Sequence, residues 1–121
     1  MQRVLPGYLD QIPMLKVAGA LDRTNGSKVV AWGEEALKAG SRILLLDLSD
    51  CSYVDSGGLG SLFTILQILA PRGLLGVFGA NHDVYRLIET VGLVSTPVFR
   101  VFSDEKAVHA ALDGGEFKLD F

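Results

Sequence analysis

The chain has 121 residues, 49% of them hydrophobic, and a formal net charge of −3, which fits one domain with a real core and leaves no room for two. Its basic residues are scattered and outnumbered by acidic ones, so nothing suggests wrapping a nucleic-acid backbone. A single cysteine, Cys51, excludes an internal disulfide and makes a reducing, cytoplasmic setting the default.

Residues 4–9 read as a short edge strand, weakened by Pro6 and Gly7. Residues 14–18 form a strand between Pro13 and Gly19, and residues 22–25 are polar and turn-like. A first helix covers 28–39, with Val29, Val30, Gly33, Ala36 and Leu37 on one stripe and Gly40 as its stop. Residues 42–48 are a continuous apolar run bounded by polar residues, as expected of a covered central strand. A polar link then leads to a second helix over 56–69, broken by Pro71-Arg72-Gly73. In that helix Leu59, Leu62, Phe63, Leu66 and Leu69 are expected to face the core, leaving Ile65 and Ile68 partly outward.

Residues 74–78 are another apolar strand, closed by Gly79. A third helix over 82–91 places Val84, Leu87, Ile88 and Val91 at helical spacing. A last strand covers 98–102. Ser103 then reads as the N-cap of a fourth helix reaching about residue 112, with Asp104 and Glu105 in its first turn. Gly114-Gly115 ends that helix and leaves a loose tail within 113–121. This order implies an α/β fold: a small mixed sheet with parallel crossovers and about four helices, in one domain with its core at 12–112.

The longest apolar stretch, 59–70, is interrupted by Gly60, Ser61, Thr64 and Gln67, so no bilayer span is expected. The first residues lack a signal-peptide apolar region. His82 and His109 have no second ligand type clustered with them, so neither a metal site nor a cofactor site is expected. Cys51, without a basic neighbour, reads as a small packing residue. Trp32 reads as a half-buried flank residue, His82 as a surface or capping residue, and His109 as solvated. Asp47 and Asp50 either satisfy loop N–H groups or join Asp55 in an acidic surface.

The residues that bear on function are Asp55-Ser56-Gly57-Gly58-Leu59-Gly60, where one hydroxyl is delivered to the start of an apolar helix. Nucleophilic catalysis fits poorly. Asp55-Ser56-Gly57-Gly58 superficially matches a chymotrypsin-like serine, but both histidines follow Ser56 and the chain is too short for two β-barrels. A hydrolase elbow wants Gly-x-Ser-x-Gly, and Val54 stands at the first glycine. The glycines lack the Gly-Lys-Ser/Thr of a phosphate-binding loop, and Asp55 would repel the ligand. Two readings stay open. Ser56 is phosphorylated where free N–H groups and the helix dipole tolerate a phosphate, as a switch by charge at an interface. Alternatively Ser56 is an ordinary N-cap and the glycines allow close packing of helix on sheet.

Several segments in order resemble the STAS domain, specifically the bacterial anti-sigma factor antagonist family. Val17-Ala18-Gly19-Ala20-Leu21-Asp22 resembles its strand ending in Gly-x-Leu/Ile-Asp, and residues 43–49 resemble its central strand. Residues 53–60 resemble its Asp-Ser-Ser/Thr-Gly-Leu-Gly signature, and 74–78 with 84–92 resemble its later strand and helix. The resemblance covers about residues 12–112. It implies a non-enzymatic, cytoplasmic partner-switching regulator of transcription. In such a regulator the antagonist binds a serine-kinase anti-sigma factor. That kinase uses ATP to phosphorylate the serine after the motif's aspartate, and a serine phosphatase reverses it. Carried over, the modified residue is Ser56, and the partner surface holds Asp22, Asp55, Ser56, Gly57, Gly58 and Leu59. A homodimer is left open. Gly57 departs from the pattern, standing where a second Ser or Thr is usual. Relatives without the phosphoswitch serve as scaffolds in stressosome-like or lipid-transport complexes, and the charge-free second helix would suit such a role as an apolar docking surface.

Overall fold

A computed structural model describes residues 3–70 and 72–115. Its strands are β1 (Arg3–Leu9), β2 (Ile12–Leu21), β3 (Ile43–Asp47), β4 (Cys51–Val54), β5 (Leu74–Phe78) and β6 (Phe99–Phe102). Its helices are α1 (Arg23–Lys38), α2 (Ser56–Leu69), α3 (His82–Thr90) and α4 (Glu105–Asp113), with a 3-10 turn at Leu93–Ser95. The main strand order is β1-β2-β3-β5-β6. Only the β1–β2 pair is antiparallel; β3, β5 and β6 add in parallel, as alternating strands and helices require. The mixed α/β sheet with four helices is the architecture the sequence implies.

Both faces of the sheet are covered, and alternation along the central strands divides their side chains between two cores. Leu44 and Leu46 of β3 and Leu75 and Val77 of β5 point to the layer with α1, α2 and α3. Leu45, Leu74 and Phe78 point to the other side, where α4 seats Val108 and Ala111. Two-sided burial is why these strands read as unbroken apolar runs.

β1 is the edge strand expected, and Pro6 and Gly7 are tolerated there as it pairs along its length with β2. Elsewhere the structure departs from the sequence reading. The hairpin turn holds Asp10 and Gln11 at positive φ (48° and 73°). α1 begins at Arg23 rather than 28, since the polar residues read as a turn are its cap and first turn. The polar link contains β4, which pairs in parallel with the end of β2. The cap of α4 is Asp104, whose Oδ1 accepts from the Ala107 N–H at 2.9 Å, and not Ser103.

In α2 the buried arc is rotated toward Ile65. Ile65 is 1% exposed and faces Gly33 of α1, whereas Phe63 is 43% exposed. Two residues apart on a helix, Phe63 and Ile65 point about 200° away from each other, so burying one turns the other out. Ile68 is outward, as expected, and Trp32 is half-buried against the core. The tail at 116–121 and the break at Pro71 lie outside the described residues.

Candidate functional site at the paired helix starts

β2 and β4 run side by side, with Leu21 opposite Val54, and each passes through one aspartate into a helix. The Asp55 N–H donates to the Leu21 carbonyl at 3.1 Å, so the two exits are tied together. α1 and α2 therefore start next to each other on one edge of the domain.

The two starts are built alike. Asp22 and Asp55 both have extended backbone, the geometry of an N-cap. Asp55 Oδ1 accepts from the Gly58 N–H at 2.9 Å. Asp22 Oδ1 accepts from the Asn25 N–H at 3.1 Å, and Asn25 Oδ1 accepts in return from the Asp22 N–H at 2.8 Å. This reciprocal box buries Asn25, whose amide also donates to the Ala20 carbonyl.

Because Asp55 caps α2, Ser56 is the first helical residue and not the cap. It is exposed, and its hydroxyl has no hydrogen-bond partner among the described residues. The Ser56 and Gly57 N–H groups belong to the four at a helix start that lack intrahelical acceptors, at the positive end of the dipole.

The glycines do pack closely, as one of the two open readings holds. A Cβ on Gly58 would stand 2.2 Å from the Leu21 carbonyl oxygen, and one on Gly57 would stand 2.9 Å from the Arg23 nitrogen. Gly60 meets nothing and has no such role. One turn further, Gly26 of α1 faces Ser61 of α2, where a Cβ would fall 2.2 Å from Ser61 Oγ. Gly58 is thus buried beneath β2, Gly57 and Leu59 are half-buried, Asp22 is half-buried in its cap, and Asp55 and Ser56 are outermost.

Around this edge the other polar residues are engaged. Asp47 is buried, and its Oδ1 accepts from the Ser49 N–H at 2.9 Å and from the Ser49 hydroxyl at 2.6 Å. Asp50 lies 3.0 Å from Lys16 Nζ; that hydrogen bond, and then the charges of Asp50 and Asp47, raise the Lys16 pKa. Cys51 is buried in β4, and burial pushes its thiol up despite bonds to the Leu21 and Tyr53 backbone. Asn81 caps α3 through the Val84 N–H at 2.8 Å and donates to the Cys51 and Ser52 carbonyls at 3.3 and 3.2 Å, fastening α3 to β4.

The histidines are elsewhere in role. His82 opens α3, exposed. His109 on α4 is not simply solvated: it sits 3.0 Å from Asp10 and 3.6 Å from Glu105. No cluster of three metal-ligating side chains occurs among the described residues. Nor is any helix there long and apolar enough to cross a membrane.

The sequence reading did not single out Asn25, Arg23 or Asn81. The Asp22-x-x-Asn25 spacing, a variant of the capping box, was the signal available for Asn25. Arg23 and Asn81 are recognised only once β4 places them.

This is the edge of an α/β domain that presents one hydroxyl on a rigid floor. A family description, "Mlab, STAS domain", matches residues 8–98. The chain belongs to the STAS domain family. It is 35% identical over 78 residues to the anti-sigma-B factor antagonist of Listeria monocytogenes, spanning 64% of this chain and 68% of that one. The fold is similar to an anti-sigma factor antagonist from Mycobacterium paratuberculosis, with a TM-score of 0.76 at 21% identity over 93% of this chain and 96% of that one. It is also similar to the Bacillus cell fate determinant SpoIIAA in its phosphorylated form, with a TM-score of 0.66 at 16% identity over 92% and 99% of the two chains.

Proposed function

We propose that this protein is a non-enzymatic, cytoplasmic anti-sigma factor antagonist. In this reading residues 12–112 are the core of one domain that binds a serine-kinase anti-sigma factor. The kinase transfers a phosphoryl group from ATP to Ser56, and a serine phosphatase removes it. The name of the Listeria relative supports the regulatory class. The observation that carries the switch is the division of labour between neighbours: Asp55 caps α2, and the exposed Ser56 hydroxyl is left unbonded. A phosphate there adds about −1.5 to −2 charge without removing a bond of the fold. Asp22, Asp55, Gly57 and Leu59 surround it on the partner surface, and Gly58 supports that surface from beneath. Repulsion and desolvation at that surface then weaken the complex.

The test uses three baits in lysate of the source organism: parent, Ser56→Ala and Ser56→Asp. A serine kinase captured by the first two and lost, by about tenfold or more, from the third is expected. Incubation of the captured kinase with ATP then adds phosphate at Ser56, read by mass spectrometry. A kinase held equally by all three baits overturns the switch.

A second reading is a scaffold that assembles without phosphorylation, in a stressosome-like or lipid-transport complex. The family description and the charge-free α2, with Phe63 and Ile68 exposed, favour it. Identical partners on all three baits are its expected result.

A further inference from the structure

At the far ends of α1 and α2, away from Ser56, a groove is lined by Leu37, Lys38, Arg42, Ile68, Leu69, Ala70 and Arg72. Its cations come from three elements: Lys38 from the last turn of α1, Arg42 from the lead-in to β3, and Arg72 from the lead-in to β5. The Leu74 N–H donates to the Arg42 carbonyl at 2.8 Å, which holds the starts of β3 and β5 side by side. No carboxylate lines the groove among the described residues. Lys38, Arg42 and Arg72 are exposed and have no ion pair among the described residues. A cation at a helix C-terminus complements the dipole, which explains Lys38; Arg42 Nη1 donates to the Ser41 carbonyl at 3.2 Å, and neither guanidinium meets a carboxylate among the described residues. In a chain of net charge −3 their convergence is a local reversal of sign.

The opposite end of the same domain carries the complement. The parallel strands β2 to β6 all exit at one end of the sheet. There Asp55 caps α2, Asp83 lies in the first turn of α3 and Asp104 caps α4, all exposed, and they outnumber the exposed Arg23 that opens α1. With 16 residues in α1, the two ends are separated by about 24 Å, too far to neutralise each other within one molecule across a screening length of about 8–10 Å.

We propose that the groove at Lys38, Arg42 and Arg72 docks the acidic end of a second copy of this chain, head to tail. Guanidinium forks take carboxylates in paired hydrogen bonds, and the apolar floor at Leu37 and Ile68 excludes water beneath them. The contact is heterologous: each copy keeps one acidic end and one basic groove free, so association does not stop at a dimer. The acidic end includes the Ser56 edge, so self-association and partner binding compete. This inference does not depend on phosphorylation of Ser56.

The test is sedimentation velocity of the full chain at about 10 mM salt, where the screening length is about 30 Å, and at about 1 M, where it is about 3 Å. The weight-average mass is expected to climb with protein concentration past that of a dimer at low salt and to fall to the monomer at high salt. The double reversal Arg42→Glu and Arg72→Glu, with its fold checked by circular dichroism, is expected to be monomeric alone and to shorten parent assemblies when mixed in, because it still offers an acidic end. A parent that stays monomeric at low salt, a plateau at dimer mass, or a reversal variant that assembles like the parent overturns the proposal. So does a monomeric parent that sediments with phosphatidylglycerol vesicles through these arginines, which assigns the groove to a lipid surface.

Discussion

The backbone nitrogen of Arg23 lies 2.9 Å from the point where a β-carbon on Gly57 would stand. The first residue of α1 thus occupies the space that a serine or threonine at position 57 requires. The departure from the family signature at Gly57 has a local cause: these two helix starts are set too close for a second hydroxyl.

Gly57→Ser is therefore expected to destabilise the fold by about 1–3 kcal/mol, as overpacking does. Gly58→Ala is expected to be worse, because its methyl meets the Leu21 carbonyl of β2 at 2.2 Å and no side chain can yield. Urea midpoints read both. A Gly57→Ser variant as stable as the parent would mean that the helix starts separate freely.

Capping and modification are expected to separate cleanly at neighbouring positions. Asp55→Ala removes the acceptor for the Gly58 N–H, for a loss of about 1 kcal/mol, whereas Asp55→Asn keeps an acceptor and loses less. Ser56→Ala removes no bond and should fall within about 0.5 kcal/mol of the parent. If thermal melts show Ser56→Ala to be the more damaging, Ser56 is the cap after all.

Asn25 is the buried hinge pin of the other start. Its side chain serves the Asp22 N–H and the Ala20 carbonyl at once. Asn25→Ala leaves both groups without this partner and is expected to lose about 2–4 kcal/mol. Hydrogen exchange should show the first turn of α1 opening before the rest of the helix.

Burial raises the Cys51 thiol pKa, and the sign of its effect on stability follows. In the unfolded chain the thiol ionises first, so that state binds fewer protons as pH climbs past the ordinary value of 9.0. Stability therefore falls above that pH, with Cys51 contributing to the slope. Cys51→Ala should show a shallower fall than the parent in chemical denaturation across the same range. Alkylation of Cys51 in the parent should track unfolding rather than thiolate concentration in the native state.

The sheet was legible because β3 and β5 are covered on two faces and their composition says so. β4 was not, because a short strand with Ser52 and Tyr53 exposed carries no apolar run; its pairing with β2 makes it a strand. The start of α1 was hidden because Thr24, Asn25 and Gly26 are poor helix formers, and Asn25 and Gly26 are held by the Asp22 box and by Ser61 across the helix pair. At the candidate site the sequence marked Ser56 and its glycines. It could not say which of Asp55 and Ser56 caps, since both residues are good caps and only coordinates separate them. The rotation of α2 that hides Ile65 and exposes Phe63 depends on Gly33 of α1, a contact no single-helix pattern contains.

Asp55 bears the structural duty at the start of α2, and Ser56 bears none. Position 56 is consequently free to vary on its own. Under the proposed function, a lineage can exchange the serine for alanine or aspartate, trading a switch for a permanently open or closed surface. No compensating change elsewhere is needed, because no other residue leans on that hydroxyl. The proposed regulation would then be inherited as a single letter, separable from the inheritance of the fold.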